Sequence, residues 1–446
     1  MTIIKKLERI EERYNLYKYD SWHYLRVAFI FSARRRNHNS IKISQKISLF
    51  RNKINSIKNI FYGFKNWFKK YKYIVFDVND DYREIDHEIL SRLTEDLSNN
   101  FDRNDILHIQ SLGQNNLIPT KDFVVSDTII RLLSLIIEKF YTYKIDFDYE
   151  NINNELKIKI NYKKEYNRLI IRKNIIKIIL RIYKPKLVFI TCYTKREFII
   201  ASKELSLPTI EIQHGILNIP GYISKTFNKK YQPDYLIVFG QNDKKLLLKN
   251  SNYIHNKNSI IPVGSYLLEY ILKKKSYVLD KYKSKFKYII SVSVQDMFLE
   301  DTVKFITDIA KINKNILFIL IPRNLEISIN KQNNILVFTN TNCLEIVKQS
   351  DFHLTIFSTC AYEAASLGIP NIFWNYNNLS IEYCNEYIND KNYNFIVNNK
   401  IEFSELLKKD FDFNKDKIIT DNKDYFMPNY KKNMERFLKK VLNDSK

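Results

Sequence analysis

A histidine stands at the predicted end of a buried strand and is followed directly by a glycine. The stretch is EIQHG, residues 211–215, with the apolar run LPTI before it. Because an imidazole titrates near neutral pH and can take a proton from a substrate hydroxyl, His214 is a candidate general base. Gln213 and Gly215 flank it, and Gly215 would allow a sharp backbone exit or the close approach of a ligand. A purely structural histidine is the alternative.

Two hydroxyl side chains lie where another predicted strand gives way to a helix. The stretch LTIFSTCAYEAASLGIP places Ser358 and Thr359 at this junction. The first N–H groups of a helix lack partners within it, and the positive end of the helix dipole lies there, so the position suits a phosphate. Glu363 follows about one turn later and is placed to reach a ribose. An ordinary helix cap is the competing interpretation.

Further candidates follow or flank other predicted strands. Gly264 and Ser265 end the strand in IIPVGS, at the junction between the two predicted domains. They are candidates for binding the nucleotide of a donor substrate. Arg323 follows the strand NILFILIP, and its guanidinium could neutralise a leaving phosphate. A solvated loop arginine is equally compatible with that position. Arg83, in VNDDYREID, is a further candidate for a ligand cleft lined by these strand ends.

Common cofactor and metal motifs are missing from the sequence. It contains no Walker loop, GxGxxG, HExxH or GxSxG motif, which disfavours NTPases, dehydrogenases, zincins and α/β-hydrolases. We identify no DxD element of the kind that holds a metal-bound sugar nucleotide. The four cysteines are scattered without CxxC spacing, which favours buried thiols. We therefore expect no metal and no cofactor, with the protein's own dipoles and cations stabilising a leaving phosphate.

The elements that must position these residues form two alternating series. Short apolar runs alternate with helical stretches from residue 174 to 264, and a second alternation begins after 287. This pattern predicts α/β architecture with parallel sheets, here two Rossmann-like doubly wound domains facing a central cleft. A length of 446 residues also favours two large domains. The predicted bounds are 1–264, 265–425 and a C-terminal helix at 426–446.

The charge distribution indicates an anionic partner. Formal net charge is +23, and residues 34–72 contain twelve Lys or Arg and no Asp or Glu. Within the segment 41–70, apolar residues from Ile47 to Phe68 recur at steps of three and four, which predicts one face of a basic helix. Such a helix suits an anionic membrane surface, and a core-packing helix with a solvated basic face is the alternative. We expect no nucleic-acid partner, since no recognisable binding module accompanies the charge, and a basic nucleic-acid-binding protein is the alternative from another functional class.

Targeting signals and membrane spans are not evident. The first twenty residues are charged throughout and contain no apolar core of a secretory signal. No apolar run approaches 18 residues. The expectation is a cytoplasmic protein that is peripheral on the inner face of the cytoplasmic membrane.

Several motifs, taken in order, resemble one enzyme group. EIQHGILNIPGY, PDYLIVFG, IPVGSY and STCAYEAASLGIP resemble the GT-B glycosyltransferases of bacterial surface polysaccharide assembly, which build capsule, O-antigen and lipooligosaccharide. The early stretches SWHYLR and NDDYREID also resemble N-terminal parts of that group. The resemblance implies sugar transfer from a nucleotide donor to a growing glycan at the membrane face, with inversion. It implies nucleotide binding by the C-terminal domain through Ser358, Thr359 and Glu363, and acceptor binding by the N-terminal domain.

A second resemblance leaves an alternative reaction open. The triplet at 213–215 is similar to the element of teichoic-acid-type polyol-phosphate transferases in which the histidine acts at the reacting centre. That resemblance implies a CDP-polyol donor. Several relatives of the first group carry a His-Pro pair after the second strand of the C-terminal domain, where this chain has Ile321, Pro322 and Arg323. This departure weighs against a CMP-sugar donor, although Arg323 could replace the phosphate contact.

Overall fold

The computed structural model describes residues 3–36, 62–78, 81–85, 88–111, 123–295, 298–322, 332–338, 342–389 and 392–444. The chain divides into two compact units. Unit 1 comprises residues 1–83, 88–263 and 431–446, and unit 2 comprises residues 84–87 and 264–430. Apart from residues 84–87, the chain therefore passes from unit 1 to unit 2 after Val263 and returns to unit 1 after Tyr430.

Unit 1 is built on a seven-stranded parallel sheet in the order β5-β4-β1-β6-β7-β8-β9. Most of its strand residues are apolar because helices cover both faces of a parallel sheet, with buried exceptions such as His108 and Glu211. The two short strands β2 and β3 form a separate two-stranded sheet. The strands are β1 Tyr73–Val78, β2 Tyr82–Ile85, β3 Glu88–Ser91, β4 Ile106–Ser111, β5 Phe123–Ser126, β6 Leu187–Ile190, β7 Thr209–Ile212, β8 Tyr235–Val238 and β9 Ile260–Pro262.

Helices of unit 1 pack on this sheet and on one another. The longest, at Tyr162–Tyr183, buries Ile171, Ile175 and Ile176 against strand residues such as Ile74. The helices are α1 Ile3–Arg13, α2 Asp20–Arg36, α3 Leu97–Asn100, α4 Thr128–Ile137, α5 Glu150–Leu156, α6 Tyr162–Tyr183, α7 Arg196–Lys203 and α8 Gln241–Asn250.

Unit 2 contains a six-stranded parallel sheet in the order β12-β11-β10-β13-β14-β15. The strands are β10 Tyr288–Val294, β11 Ile316–Pro322, β12 Ile335–Val337, β13 Phe352–Thr355, β14 Asn371–Trp374 and β15 Asn394–Val397. The helices are α9 Tyr266–Lys273, α10 Asp280–Lys283, α11 Leu299–Ile312, α12 Cys343–Gln349, α13 Thr359–Ser366, α14 Leu379–Asn389, α15 Lys400–Lys408 and α16 Lys415–Asp421. The last helix of the chain, α17, spans Tyr430–Asp444.

Strand order fixes where a ligand can bind in each unit. In unit 1 the chain builds outwards from β1, first through β4 and β5 and then through β6 to β9 on the other side. In unit 2 it builds outwards from β10 in the same way. The carboxyl ends of the strands beside such a reversal form the usual binding crevice of an open α/β sheet. The predicted fold class, α/β with two Rossmann-like doubly wound domains, is confirmed.

The basic segment predicted at 41–70 lies partly outside the described residues, which resume at residue 62. Residues Phe64–Phe68 form a 3₁₀ helix that begins after Gly63, whose φ is +63°. This departs from the expected α-helical face through Phe68. Trp67 packs against the core of unit 1, and the Tyr183 hydroxyl donates to its carbonyl at 2.6 Å. In the described part of the chain, no helix combines the length and apolar character needed to cross a bilayer.

Candidate active site

Three polar residues follow neighbouring strands at the reversal point of the unit 1 sheet. Asp81 lies shortly after β1, Thr191 directly follows β6, and His214 follows β7 after Gln213. Strand β6 pairs with both β1 and β7, so these strand ends are adjacent. The position is the one at which a doubly wound sheet binds its ligand.

Asp81 and His214 form a hydrogen-bonded pair. The Nδ1 atom of His214 lies 2.9 Å from Oδ1 of Asp81. Nε of Arg92 lies 3.3 Å from the same carboxylate oxygen, and a second nitrogen of its guanidinium donates to the backbone carbonyl of His214. The Asp81 side chain is fully buried, whereas 28% of the His214 side chain is exposed. One arginine therefore fixes the histidine backbone and the carboxylate that holds the imidazole.

The charge state of Asp81 follows from these contacts. Burial alone would raise the pKa of its carboxyl, but the neighbouring His214 and Arg92 outweigh that effect and lower the pKa to about 2. Asp81 is therefore ionised at neutral pH. A carboxylate only accepts hydrogen bonds, so Nδ1 of His214 must carry the proton, and the lone pair of the neutral ring lies on Nε2. The pair is arranged for His214 to accept a proton through Nε2.

Gln213 and its neighbours hold the turn that carries His214. The Gln213 side chain accepts from Phe239 N at 2.7 Å and donates to Gly215 O at 2.9 Å. Gly215 does not have a positive φ, so the chain leaves His214 without a left-handed glycine. The close approach of a ligand at Gly215 stays a prediction. The glycine that close packing demands in this loop is Gly221, where a Cβ would lie 2.3 Å from the Tyr193 ring.

The stretch SWHYLR, on α2, supports the same loop from the other side. Arg26 is buried and pairs with Glu11 at 2.6 Å. Its guanidinium also donates to the carbonyls of Pro220 and Ile223, downstream of His214. A buried ion pair that also satisfies backbone carbonyls gives the loop a defined position.

Glu211 occupies the strand just before this turn and gives a test of the local electrostatics. Its carboxyl is fully buried and accepts from the hydroxyls of Tyr222 and Tyr253. Burial raises the pKa of Glu211 from 4.5 to about 7. Between these values the folded protein keeps the proton and the unfolded chain releases it, so stability falls as pH rises through this window, by about 3 kcal/mol in total.

Replacing Glu211 with Gln is therefore expected to weaken the pH dependence of stability between pH 4.5 and 7. Urea unfolding at pH 5 and pH 8 would measure it, with the variant losing less free energy of unfolding than the wild type. Burial also raises the pKa of Asp243 to about 7. Part of the pH dependence of stability therefore remains in both proteins. Equal losses in wild type and variant would show that Glu211 titrates normally.

Asp81 and Arg92 are the site residues that the sequence did not reveal. The stretch VNDDYREID drew attention to Arg83, but the Arg83 guanidinium donates to the Tyr82 carbonyl at 2.6 Å, and it is Arg92 that contacts Asp81 and His214. One signal was available: Asp81 closely follows the first strand of a doubly wound sheet, at the carboxyl edge where such sheets bind ligands. Nothing in the spacing pointed to Arg92.

In unit 2, Ser358 and Thr359 lie at the start of α13, beside the reversal point between β10 and β13. Ser358 is the N-cap, and its hydroxyl oxygen accepts from Cys360 N at 3.2 Å. The O–H hydrogen of Ser358 can still be donated to a phosphate oxygen. Glu363 lies one turn further along and is 6% exposed. The arrangement serves as a helix cap and keeps one donor for an anion.

Substituting both Ser358 and Thr359 with Ala is expected to weaken binding of a nucleoside diphosphate by about 10²- to 10⁴-fold, since each of the two hydrogen bonds to a charged group contributes about 1.5–3 kcal/mol. Calorimetric titration would measure the affinity. The matched control is Asn399→Ala, which removes the N-cap of α15, where Asn399 accepts from Ile401 N and Glu402 N. The control should lose about 1 kcal/mol of stability and no affinity. Equal affinity in all three proteins would remove Ser358 and Thr359 from the binding site.

The remaining predicted donor-binding residues have different outcomes. Gly264 has a φ of +105°, and a Cβ there would lie 2.3 Å from Met427 O, so this glycine is required by the backbone. Ser265 caps α9 by accepting from Leu268 N at 3.4 Å. Arg323 lies outside the described residues. Donor contacts by these three residues stay predictions.

An aromatic group near Ser358 was not predicted. The ring of Phe357 lies 6.0 Å from that of Phe298 and 4.6 Å from that of Tyr383, centroid to centroid. Phe298 also lies 5.7 Å from Tyr376. Phe357 and Tyr376 are partly exposed. Such rings beside an anion-binding helix start offer a surface on which a nucleobase can stack.

The acidic side chains bear on whether the described residues could hold a metal ion. Among the described residues, no group of three or more His, Cys, Asp or Glu is placed to hold a metal ion. The sequence does contain the literal DxD pattern, at 146–148 and at 410–412. In the first of these, Asp146 bonds to Ser21 and Asp148 accepts from Tyr162 at 2.6 Å. These two aspartates therefore join neighbouring elements of unit 1.

Comparison with known proteins gives structural matches only. No protein-family model and no curated protein sequence matches the chain. Similar solved structures include a UDP-GlcNAc 2-epimerase from Neisseria meningitidis bound to UDP-GlcNAc, at 13% identity and a TM-score of 0.48, covering 82% of this chain and 99% of that one. The glycosyltransferase SnogD from Streptomyces nogalater matches at 8% identity and a TM-score of 0.48, covering 83% of this chain and 100% of that one. The wall teichoic acid polymerase TagF matches at 14% identity and a TM-score of 0.47, covering 91% of this chain and 99% of that one.

Proposed function

We propose that the protein is a metal-independent, inverting glycosyltransferase that moves a sugar from a nucleotide-sugar donor to a growing bacterial surface glycan of the capsule, O-antigen or lipooligosaccharide type. Unit 2 binds the nucleotide and unit 1 binds the acceptor. The acceptor glycan is reached at the inner face of the cytoplasmic membrane. The motif set quoted above supports the substrate class, and the site geometry supports the chemistry.

One observation carries the proposal: His214 bonds through Nδ1 to a buried, ionised Asp81 at the carboxyl edge of a doubly wound sheet. The proton on Nδ1 leaves Nε2 as the basic atom, and the carboxylate stabilises the imidazolium that forms when Nε2 takes a proton. A purely structural histidine does not need a buried carboxylate that a neighbouring arginine helps to keep ionised. The arrangement therefore favours general-base chemistry.

The reaction then proceeds by displacement at the sugar. The acceptor O–H transfers its proton to Nε2 of His214 while its oxygen forms a bond to the anomeric carbon. The bond between that carbon and the donor phosphate oxygen breaks, and the nucleoside diphosphate leaves with the electron pair. Donors at the start of α13, including the Ser358 hydroxyl, take up the charge that develops on the phosphate.

A polyol-phosphate transferase of the teichoic-acid type is the second candidate. The observation in its favour is the triplet at 213–215, in which the Gln213 side chain brackets His214 through Phe239 N and Gly215 O. In that reaction the acceptor oxygen attacks the phosphorus bonded to the polyol, and CMP leaves. The same histidine would serve as base.

A donor panel separates the two reactions. The full-length protein is incubated with UDP-, GDP- and CMP-sugars and with CDP-glycerol and CDP-ribitol, and the released nucleotide is identified by ion-exchange chromatography. Release of UDP or GDP, with sugar added to acceptor glycan, supports the glycosyltransferase. Release of CMP from a CDP-polyol supports the second candidate. If no donor is consumed with any acceptor extract, both proposals are wrong.

A further inference from the structure

One region of unit 1 exposes an unusual number of large apolar side chains. Leu132, Leu135 and Ile136 on α4 are 43–50% exposed, and Phe140, just after that helix, is 76% exposed. On the neighbouring helix α6, Ile178 and Ile182 are 56% and 72% exposed. We call these six side chains the apolar face. Exposed apolar groups gathered on packed neighbouring elements mark interaction surfaces, whereas single exposed ones are ordinary.

Packing and hydrogen bonds bring the parts of the apolar face together. Helices α4 and α6 pack against each other, with Ile130 of α4 and Ile171 of α6 in one core cluster. The chain after α4 is tied to α6, because Asn167 donates to Tyr141 O at 3.1 Å and accepts from Tyr143 N at 2.9 Å. Phe140 therefore stays beside α6.

The 3₁₀ helix at Phe64–Phe68 extends this surface. The hydroxyl of Tyr183, the last residue of α6, donates to the carbonyl of Trp67, and Trp67 packs on the same core cluster. Phe64 and Phe68, from this short helix, are 48% and 76% exposed. Three elements that share one core cluster thus present apolar side chains to solvent.

The charges around the apolar face are mostly positive. Residues 62–72, 139–144 and 174–186 contain ten Lys or Arg and no Asp or Glu. Two of the ten, Lys72 and Lys177, pair with Asp105 and Glu204 from other elements, and Glu138 lies 3.6 Å from the Arg168 guanidinium. The net charge around the apolar side chains is therefore positive.

We propose that the apolar face docks the protein on a lipid bilayer that contains anionic headgroups. Apolar side chains can enter the boundary between headgroups and acyl chains while the surrounding lysines contact the headgroups, and the two contributions add. A second copy of the chain would bring like charges together at this face, which opposes self-association. The inference concerns the membrane partner in the proposed function, but it uses residues outside the segment 41–61 and would survive the failure of the proposed reaction.

The test compares two double variants of the full chain. Phe140→Glu with Ile182→Glu changes the apolar face, and Ile312→Glu with Ile401→Glu is the matched control in unit 2, where these side chains are 66% and 75% exposed. All four positions are exposed, so both variants should fold, which circular dichroism and thermal unfolding would check. Flotation with vesicles of phosphatidylglycerol and phosphatidylcholine measures binding.

The expected result is that wild type and control float, while the apolar-face variant loses vesicle partitioning on the order of 100-fold. Pure phosphatidylcholine vesicles should bind the wild type more weakly, because the lysines lose their partners. Equal flotation of both variants would overturn the proposal and assign binding to other residues. A wild-type dimer that the apolar-face variant alone converts to a monomer, with no vesicle binding, would also overturn it and identify a contact between copies.

Discussion

Replacing His214 with Ala should lower turnover by about 10²- to 10⁴-fold, the usual contribution of a general base. The variant should still bind nucleotide as the wild type does, because the predicted nucleotide residues, Ser358 and Thr359, belong to unit 2. Steady-state rates of nucleotide release with a donor identified from the panel would measure the loss. The effect should fall on kcat more than on KM, since the proton is transferred only in the chemical step.

A companion variant separates lost chemistry from lost packing. His214→Gln keeps a polar side chain of similar size that can still bond to Asp81, but it has no basic nitrogen in the relevant pH range. It should be as inactive as His214→Ala and as stable as the wild type. Turnover within tenfold of the wild type in either variant would show that another group acts as base.

Replacing Asp81 with Asn should produce the second large effect, on activity and stability together. The neutral amide no longer requires a proton on Nδ1 of His214 and no longer stabilises the imidazolium, and an equivalent change in a buried Asp–His pair of serine proteases lowers kcat by about 10⁴-fold. Arg92 would also lose its carboxylate partner while only 11% exposed, and breaking a buried pair costs about 3–5 kcal/mol. Kinetics and urea unfolding on the same preparation would measure both losses.

The acid limb of stability provides an independent readout for Asp81. Its pKa is about 2 in the folded protein and 3.8 ordinarily, so its contribution is present above pH 3.8 and is lost as pH falls towards 2. Asp81→Asn should lack this contribution.

Asp77→Asn is the matched control, because Asp77 is equally buried and pairs with His108 at 2.8 Å. That change should destabilise the protein and leave kcat, per folded molecule, within about tenfold of the wild type. If both variants lose activity equally, Asp81 has no special role.

Sequence patterns predicted the regular parts of the fold well. Runs such as LVFI and ILFILIP read as strands because every residue is apolar, and both strands are buried along their length. Elements at the end of unit 2 were not foreseen. Strand β15 has only four residues and is mostly half-buried, and α14, α15 and α16 are rich in Asn, Lys and Glu, which weakens the apolar period that reveals a helix.

The candidate site was predicted only in part, for a physical reason. His214 could be found because the local stretch EIQHG shows both the end of a strand and the histidine that follows it. Its partner Asp81 lies 133 residues earlier, and the third member, Arg92, follows β3 and reaches both because its backbone N–H donates to Asp81 O at 2.9 Å. Contacts of that kind depend on the hydrogen-bonded register of separate elements, which a single sequence does not encode as spacing.

The return of the chain to unit 1 has a consequence for its synthesis. Helix α17 buries Met434, Phe437, Leu438 and Val441, and Asn433 donates to Val263 O at 3.2 Å. A nascent chain that has delivered residues 1–263 from the ribosome still lacks this helix, although domains usually fold as they emerge. The first unit to be translated is thus the last to be completed. A premature stop codon after residue 430 would leave the apolar surface on which α17 packs exposed to solvent and prone to aggregation.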